Sequence, residues 1–308
     1  MPRHSCLLLS VLLIVAATVS VGAQRFRSGT IGVRVDVLVS NGGHLVRGLV
    51  ADDFELRDDG VVQAVSEVEL EQIPLNLILV FDTSGSVAGE RIHALLDAGQ
   101  SVLEGLRDHD RVALLSFSTR VRLLAPLTPS REQIRGAMAA LEARGTTSLR
   151  DAAFAGLALR EADPGRTLLL IFSDGEDTSS WLKAPAVLQA ARRTDAVVYA
   201  VAISQQQRSV TTFSRGGNTS VARTQVTTVN KAGKFLDGLT EETGGRVLFA
   251  SSNRDLRSTF DQTLAEFRDR YVLSYTPAGV APTGWHRLEV KLKRKSGKVT
   301  ARRGYFAE

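Results

Sequence analysis

The feature that constrains this sequence most is a largely apolar run, residues 75–81, that ends in Asp82. Apolar side chains occupy successive positions in this run and not alternate ones. Such a pattern is typical of a strand that is buried on both faces of a parallel sheet. In open α/β sheets, ligands bind just beyond the carboxyl ends of the strands. The sequence therefore places a candidate binding site at Asp82 and the residues that follow it.

The residues after this predicted strand offer oxygen atoms at a regular spacing. Asp82, Ser84 and Ser86 alternate with other residues, and Gly85 allows the backbone to turn tightly between the two serines. One carboxylate and two hydroxyls on one side of a loop suit a hard cation such as Mg²⁺. The alternative interpretation is a turn that caps a helix starting near Glu90.

The same three residues resemble the D-x-S-x-S motif of the von Willebrand factor A domain, whose metal-ion-dependent adhesion site also takes a Thr and an Asp from two later loops. Segment 145–152 is similar to the G-x-T segment of that family, and segment 172–175 is similar to its T/S-D-G segment. The likeness covers roughly residues 74–268. It maps the Thr to Thr147 and the Asp to Asp174.

The resemblance implies a fold class and a ligand set. The fold is α/β, with a Rossmann-like, doubly wound and mostly parallel sheet. The implied ion is Mg²⁺, with Mn²⁺ or Ca²⁺ as alternatives, and its open position would take an Asp or Glu carboxylate from a protein partner. No catalytic residue is expected, and the nearby Glu176 and Asp177 are expected to be solvated or to cap the next helix. The implied metal ligands are Asp82, Ser84, Ser86, Thr147 and, through water, Asp174.

Residues 30–70 and the segment after 269 alternate apolar and polar side chains, as antiparallel strands with one solvated face do. Segment 48–60 also looks like the N-terminal flank of a subfamily of bacterial secreted von Willebrand A-related proteins. Because domain termini commonly lie close together, both flanks are predicted to form one small β-sandwich around an inserted α/β domain. The predicted divisions are 1–23 (signal peptide), 24–73 (N-terminal β flank), 74–268 (A domain) and 269–308 (C-terminal β flank).

Helical periodicity predicts helices near residues 90–107, 131–143, 148–161, 184–194, 233–243 and 253–269. The polar stretch 205–230 interrupts this βα pattern for longer than an ordinary connection. It is interpreted as a surface excursion with a binding role or as a mobile loop, and the mobile loop is favoured.

The N-terminal residues predict a secretory signal peptide. Arg3 and His4 precede the largely apolar run 6–17, and the small residues 21–23 form a cleavage pattern that ends at Ala23. The apolar core is short of the roughly 20 residues that a spanning helix needs. Cys6, the only cysteine, lies inside this segment. We therefore expect a secreted or periplasmic protein of bacterial type, with no disulfide and no membrane span after cleavage.

Charge and motifs rank the remaining function classes. The formal net charge of +5 falls to +4 when Arg3 is removed, which is too small to indicate nucleic-acid binding. The leading hypothesis is an exported, metal-dependent protein-binding or adhesion module. A non-adhesive envelope scaffold is the alternative. A hydrolase that uses Asp82, Ser84 or Ser86 is disfavoured, because neither a nucleophile-elbow pattern nor a suitably placed histidine is present.

Overall fold

The computed structural model describes residues 32–70, 73–159, 165–203, 205–214, 220–229 and 233–307, with the backbone alone for 205–214 and 220–229. The predicted signal peptide and its cleavage site after Ala23 lie outside the described residues. Within those ranges, no helix has both the length and the apolar character needed to cross a membrane.

The described elements alternate between strands and helices in the middle of the chain and are strands at both ends. In chain order the strands are β1 (Val33–Asn41), β2 (His44–Leu45), β3 (Phe54–Asp58), β4 (Val61–Gln63), β5 (Val65–Leu70), β6 (Leu75–Asp82), β7 (Arg111–Phe117), β8 (Val121–Thr128), β9 (Arg166–Phe172), β10 (Val197–Ile203), β11 (Gln205–Ser214), β12 (Ser220–Val229), β13 (Val247–Ala250), β14 (Tyr271–Tyr275), β15 (Gly284–Leu292), β16 (Lys298–Ala301) and β17 (Gly304–Ala307). The helices are α1 (Glu90–Glu104), α2 (Arg131–Ala139), α3 (Leu149–Ala158), α4 (Ala184–Ala191), α5 (Gly233–Thr243) and α6 (Leu256–Arg268).

The central sheet has six strands in the order β13-β10-β9-β6-β7-β8. All neighbours pair in parallel except β7 and β8, which pair antiparallel. All eight residues of β6 are buried, as the apolar run predicts. Leu77, Leu79 and Phe81 pack with α1, α2 and α6 on one face, while Ile78 and Val80 pack with α3, α4 and α5 on the other. The predicted doubly wound α/β fold is confirmed.

The strand order sets the position of the candidate site. After β6 the chain continues into β7 on one side of it, and later returns to β9 on the other side. The connections that leave the carboxyl ends of β6 and β9 therefore diverge, and a crevice opens at the end of β6. Asp82 is the last residue of that strand.

The two flanks of the chain form one antiparallel β-sandwich, as predicted. One sheet has the order β16-β1-β14-β5 with β2 beside β1, and the other has the order β17-β15-β3-β4. Each sheet thus combines strands from before and after the α/β region. They share a core in which the rings of Phe54 and Tyr271 meet edge to face at 5.6 Å. The exact domain limits at 73/74 and 268/269 remain predictions.

Arg270 links the sandwich to the central sheet. Its side chain is fully buried, and its Nη2 donates to the carbonyl oxygens of Gly244 (2.7 Å) and Asp36 (3.1 Å). Its Nη1 donates to the hydroxyl of Tyr199 at 3.1 Å. Because Tyr199 lies in β10 and Asp36 in β1, one buried guanidinium bridges the two layers.

Three local predictions differ most from the structure. The helix predicted at 131–143 ends at Ala139, because the chain then turns to bring Gly145 beside the Asp82 loop. Strand β8 is not among the predicted elements, since Pro126 within it is typical of segments outside a sheet. In the polar stretch 205–230, where the sequence favours a mobile loop, segments 205–214 and 220–229 pair as the antiparallel ribbon β11-β12. Their frequent Thr and Val favour strands.

The shared sandwich core makes a prediction about stability. We expect Phe54→Ala to lower the free energy of unfolding by about 3–5 kcal/mol, since it removes a buried ring from the contact with Tyr271. Phe306 is a matched control, because it is 38% exposed and its ring lies under the guanidinium of Arg193 at the surface. Phe306→Ala should cost less than about 1 kcal/mol. Urea titration measures both free energies of unfolding. An equal decrease for Phe54→Ala and Phe306→Ala would show that β3 and β14 do not share a core.

Candidate metal centre

The loop after β6 is held between two other loops. Thr83 N donates to the carbonyl oxygen of Phe117 at the end of β7 (2.7 Å), and Gly85 N donates to the carbonyl oxygen of Gly145 (3.0 Å). The turn 85–87 is a single 3₁₀ turn that follows Ser84. These bonds fix the backbone that carries the predicted ligands.

Asp82 is a fully buried carboxylate at the floor of this loop. Its Oδ1 accepts a hydrogen bond from Ser84 N (2.9 Å), and its Oδ2 accepts one from Ser173 Oγ (3.1 Å). Within the described ranges, no lysine, arginine or histidine forms an ion pair with it. Its negative charge is therefore solvated only by neutral donors, and each oxygen keeps lone-pair capacity for another partner.

Burial raises the pKa of Asp82 from its ordinary value of 3.8 to about 6, and the nearby negative charge of Asp174 acts in the same direction. Hydrogen bonds from Ser84 and Ser173 oppose the rise without cancelling it. A carboxylate in this condition gains from any cation that binds beside it.

The two serine hydroxyls converge next to this carboxylate. Ser84 Oγ and Ser86 Oγ are 3.0 Å apart, which is a hydrogen-bonding distance. Ser84 is buried and Ser86 is exposed. The pair therefore leads from the buried carboxylate toward solvent.

Thr147 lies on a loop tied to the segment after Asp174. Its N–H donates to Thr178 Oγ1 (2.9 Å), and its carbonyl oxygen accepts from the N–H groups of Thr178 and Ser179. Its side chain is buried, and its hydroxyl has no hydrogen-bond partner among the described residues. A hydroxyl without such a partner is available as a ligand.

Asp174, two residues beyond β9, is half-buried, and its Oδ1 accepts from Glu176 N at 3.1 Å. Glu176 itself is exposed, as expected. Asp177 caps a helix, but the helix is α3 and not the following one. Its carboxylate accepts from both the backbone N–H and the guanidinium of Arg150. Although burial opposes the change, the hydrogen bonds from Arg150 and Ser180 lower the pKa of Asp177.

Hydrogen bonds between the loops therefore gather the three predicted segments at one edge of the sheet. One buried anionic oxygen donor, two adjacent hydroxyls, one free hydroxyl and a second carboxylate are the donor types that Mg²⁺ takes. The chemistry of this donor set fits a divalent cation. Ser173 was not among the predicted ligands, yet it occupies the first position of the T/S-D-G segment and donates to Asp82.

A second group of possible ligands lies in the sandwich. Asp58, Asp59 and His286 bring their ligand atoms within 4.8 Å of one another. Asp58 already has three hydrogen-bonding partners, because His286 Nδ1 lies 2.9 Å from Oδ1 and the hydroxyls of Tyr275 and Tyr305 donate to Oδ2. This network satisfies a buried carboxylate inside a core, so we assign it a structural role.

The raised pKa of Asp82 predicts how the stability of the metal-free protein depends on pH. The folded state binds the Asp82 proton more tightly than the unfolded state, so the free energy of unfolding falls as pH rises from about 4 to 6. A pKa shift of this size lowers the free energy of unfolding by roughly 3 kcal/mol above pH 6. In EDTA, which keeps the site free of metal, we expect Asp82→Asn to remove this pH-dependent loss of stability.

Urea titrations at pH 5 and pH 7.5 measure the effect, because groups distant from residue 82 contribute equally to both proteins. The stability difference between Asp82→Asn and wild type should grow toward pH 7.5. The exposed Glu176→Gln is the control and should leave the wild-type profile unchanged. Parallel profiles for Asp82→Asn and wild type would mean that Asp82 titrates normally.

Comparison with known proteins identifies the domain. Residues 77–176 match the profile of the von Willebrand factor type A domain. The chain is 27% identical over 145 residues to inter-alpha-trypsin inhibitor heavy chain H4 of Bos taurus, a match that covers 43% of this chain and 16% of that protein. An uncharacterized protein of Synechocystis is 26% identical over 152 residues, covering 47% of this chain and 35% of that protein.

The chain thus spans well under two thirds of the length of these relatives. A solved structure titled von Willebrand factor type A from Catenulispora acidiphila has the same fold, with a TM-score of 0.51 and 12% identity, covering 85% of this chain and 74% of that one. The sequence match and the shared fold show that residues 77–176 lie in a von Willebrand factor type A domain.

Proposed function

We propose that this chain is a binding module that holds a divalent cation at the end of β6 and captures an Asp or Glu carboxylate of a protein partner. The observation that carries the proposal is Asp82, a fully buried carboxylate without a cationic partner among the described residues. A buried charge is stable in a protein when it is paired or binds a metal. The adjacent hydroxyls of Ser84 and Ser86 favour a metal.

Each proposed ligand has a distinct part. Asp82 supplies the anionic ligand, and Ser173 fixes its second oxygen by donating to Oδ2. Ser84, Ser86 and Thr147 supply neutral oxygens, and Asp174 acts through water. When bound, the cation supplies an electrophilic position for the partner's carboxylate oxygen. A shell with one direct anionic ligand leaves the ion enough positive charge to attract that carboxylate.

Two features favour binding over catalysis at this site. The hydroxyls of Ser84 and Ser86 bond each other, and no described histidine or lysine hydrogen-bonds to either of them. A serine nucleophile needs such a base. We infer that the serines act as ligands.

We also propose that the protein acts outside the cytoplasm, because its N-terminal residues up to Ala23 resemble a cleavable signal peptide. A carboxylate-capturing module there would join surface or envelope proteins. A scaffold that does not use the metal is the second candidate, and its binding to partners would survive chelation.

Calorimetric titration with Mg²⁺ and Mn²⁺ tests the metal site. We expect Asp82→Asn to abolish detectable binding, because it removes the anionic ligand with little change in shape. Ser84→Ala should weaken binding by about tenfold, because water can replace a neutral hydroxyl.

Glu176→Gln is the matched control, since Glu176 is an exposed carboxylate on the same edge of the sheet. It should bind both ions like wild type. Equal affinities in the wild-type, Asp82→Asn and Ser84→Ala proteins would place the metal elsewhere and refute the proposed mechanism.

A further inference from the structure

A cleft of about 330 Å³ opens beside the candidate metal centre. Its walls include Thr83 and Gly145, which belong to the loops that hold Asp82 and Thr147. The tip of the β7–β8 hairpin and the segment after α2 complete it. The cleft therefore lies against the backbone of the loops that carry the candidate ligands Asp82 and Thr147.

Positive charge dominates the lining of this cleft. Arg120, Arg122 and Arg144 line it, and Glu142 is the one acidic residue among the described lining residues. Arg144 lies 3.4 Å from Glu142, and both side chains are about three-quarters exposed. Arg120 and Arg122 are exposed and form no salt bridge within the described ranges. Two guanidinium groups are thus available for a ligand.

The backbone segments that carry these arginines are hydrogen-bonded to the loop after β6 and to the loop that carries Thr147. Ser148 Oγ donates to the carbonyl oxygen of Ser118 (2.7 Å), and Thr146 N donates to Thr119 Oγ1 (3.1 Å). Arg144 N donates to the carbonyl oxygen of Thr83 (2.8 Å). The backbones of the hairpin, the Gly145 loop and the Asp82 loop therefore form one unit, and little of it needs to be ordered when a ligand binds.

We propose that this arginine cleft, defined by Arg120, Arg122 and Arg144, binds a second acidic side chain of the same partner segment whose first carboxylate occupies the metal. The inference rests on the proposed function, because the loops that the cleft shares with the proposed metal centre favour an acidic peptide over another anion. Arginine binds carboxylates through two parallel N–H···O bonds, which orients the ligand as well as attracting it. The proposal therefore restricts the partner to proteins that present a segment with clustered acidic residues.

Fluorescence anisotropy with two labelled peptides tests this proposal. One peptide is hexaglutamate, and the other contains a single glutamate among glycines. In Mg²⁺, wild type should bind hexaglutamate more tightly than the single-glutamate peptide. The double variant Arg120→Glu/Arg122→Glu should lower the affinity for hexaglutamate by about tenfold or more, and this loss should be larger at low salt. The same variant should change binding of the single-glutamate peptide much less.

Two further variants act as internal controls. Glu142→Gln removes the acidic residue of the cleft, so it should tighten hexaglutamate binding by about two- to fivefold. Arg294→Glu/Lys298→Glu makes the same change in net charge on exposed residues of the sandwich. This second control should leave the affinity for hexaglutamate near the wild-type value.

The outcomes separate the two proposals. If EDTA or Asp82→Asn abolishes hexaglutamate binding and the Arg120/Arg122 variant binds like wild type, the cleft proposal is wrong and the metal-centre proposal stands. If the Arg120/Arg122 variant loses binding but EDTA and Asp82→Asn have no effect, the cleft binds anions without the metal centre and the joint recognition proposed here is refuted. Loss of heparin-oligosaccharide binding in that variant, with no loss of hexaglutamate binding, would assign the cleft to polysaccharide instead.

Discussion

The structure depends most on the complete burial of strand β6. Helices cover both faces of this strand, so its six apolar residues contribute to two hydrophobic cores at once. The strand cannot carry a charge until it reaches the edge of the sheet. Asp82 is placed there, still inaccessible to solvent but beside loops that present hydroxyls and N–H groups. The same burial that forms the core raises the pKa of this carboxylate, because it disfavours the charged form. A cation bound beside Asp82 would stabilise that charged form.

The flanking sandwich supports this site from the other end of the sheet. Strands from both sides of the α/β region share one core, and Arg270 bonds the backbone of β1 and of Gly244 together with the hydroxyl of Tyr199. Tyr199 in turn donates to Glu266 in α6. The helix that leads out of the α/β region is thus bonded to the sheet at the point where the sandwich begins. A site of rigid loops on such a base loses little entropy when it binds a ligand.

The sequence predicted the parts of the fold that rest on strong periodicity. The burial of the apolar run before Asp82 follows from its local pattern, and the joining of both flanks in one sandwich follows from alternating strands near both chain termini. Strand β8 escaped prediction because Pro126 interrupts it, and the ribbon β11-β12 because its polar, β-branched residues are balanced between strand and loop. Helix ends were overestimated where tertiary hydrogen bonds, such as the one from Gly85 N to Gly145, end the helix early.

The sequence indicated candidate ligands for the site but not the residues that surround them. Asp82, Ser84 and Ser86 follow from loop chemistry, and Thr147 and Asp174 from the resemblance to the family. The capping role of Asp177 depends on its proximity to Arg150, which is distant in sequence. The structure, and not the sequence, relates Arg120 and Arg122 to the site, because the β7–β8 hairpin ends beside the Asp82 loop. Isolated arginines on an edge strand give no such signal in a sequence.

The most direct test of the account is the anomalous scattering of crystals grown with Mn²⁺. We expect one strong anomalous peak at about 2.1–2.3 Å from Ser84 Oγ, Ser86 Oγ and an Asp82 oxygen, since Mn²⁺ binds hard oxygen ligands with a geometry close to that of Mg²⁺. Crystals of Asp82→Asn should lack the peak. A peak between Asp58, Asp59 and His286, with none at the end of β6, would contradict the central claim.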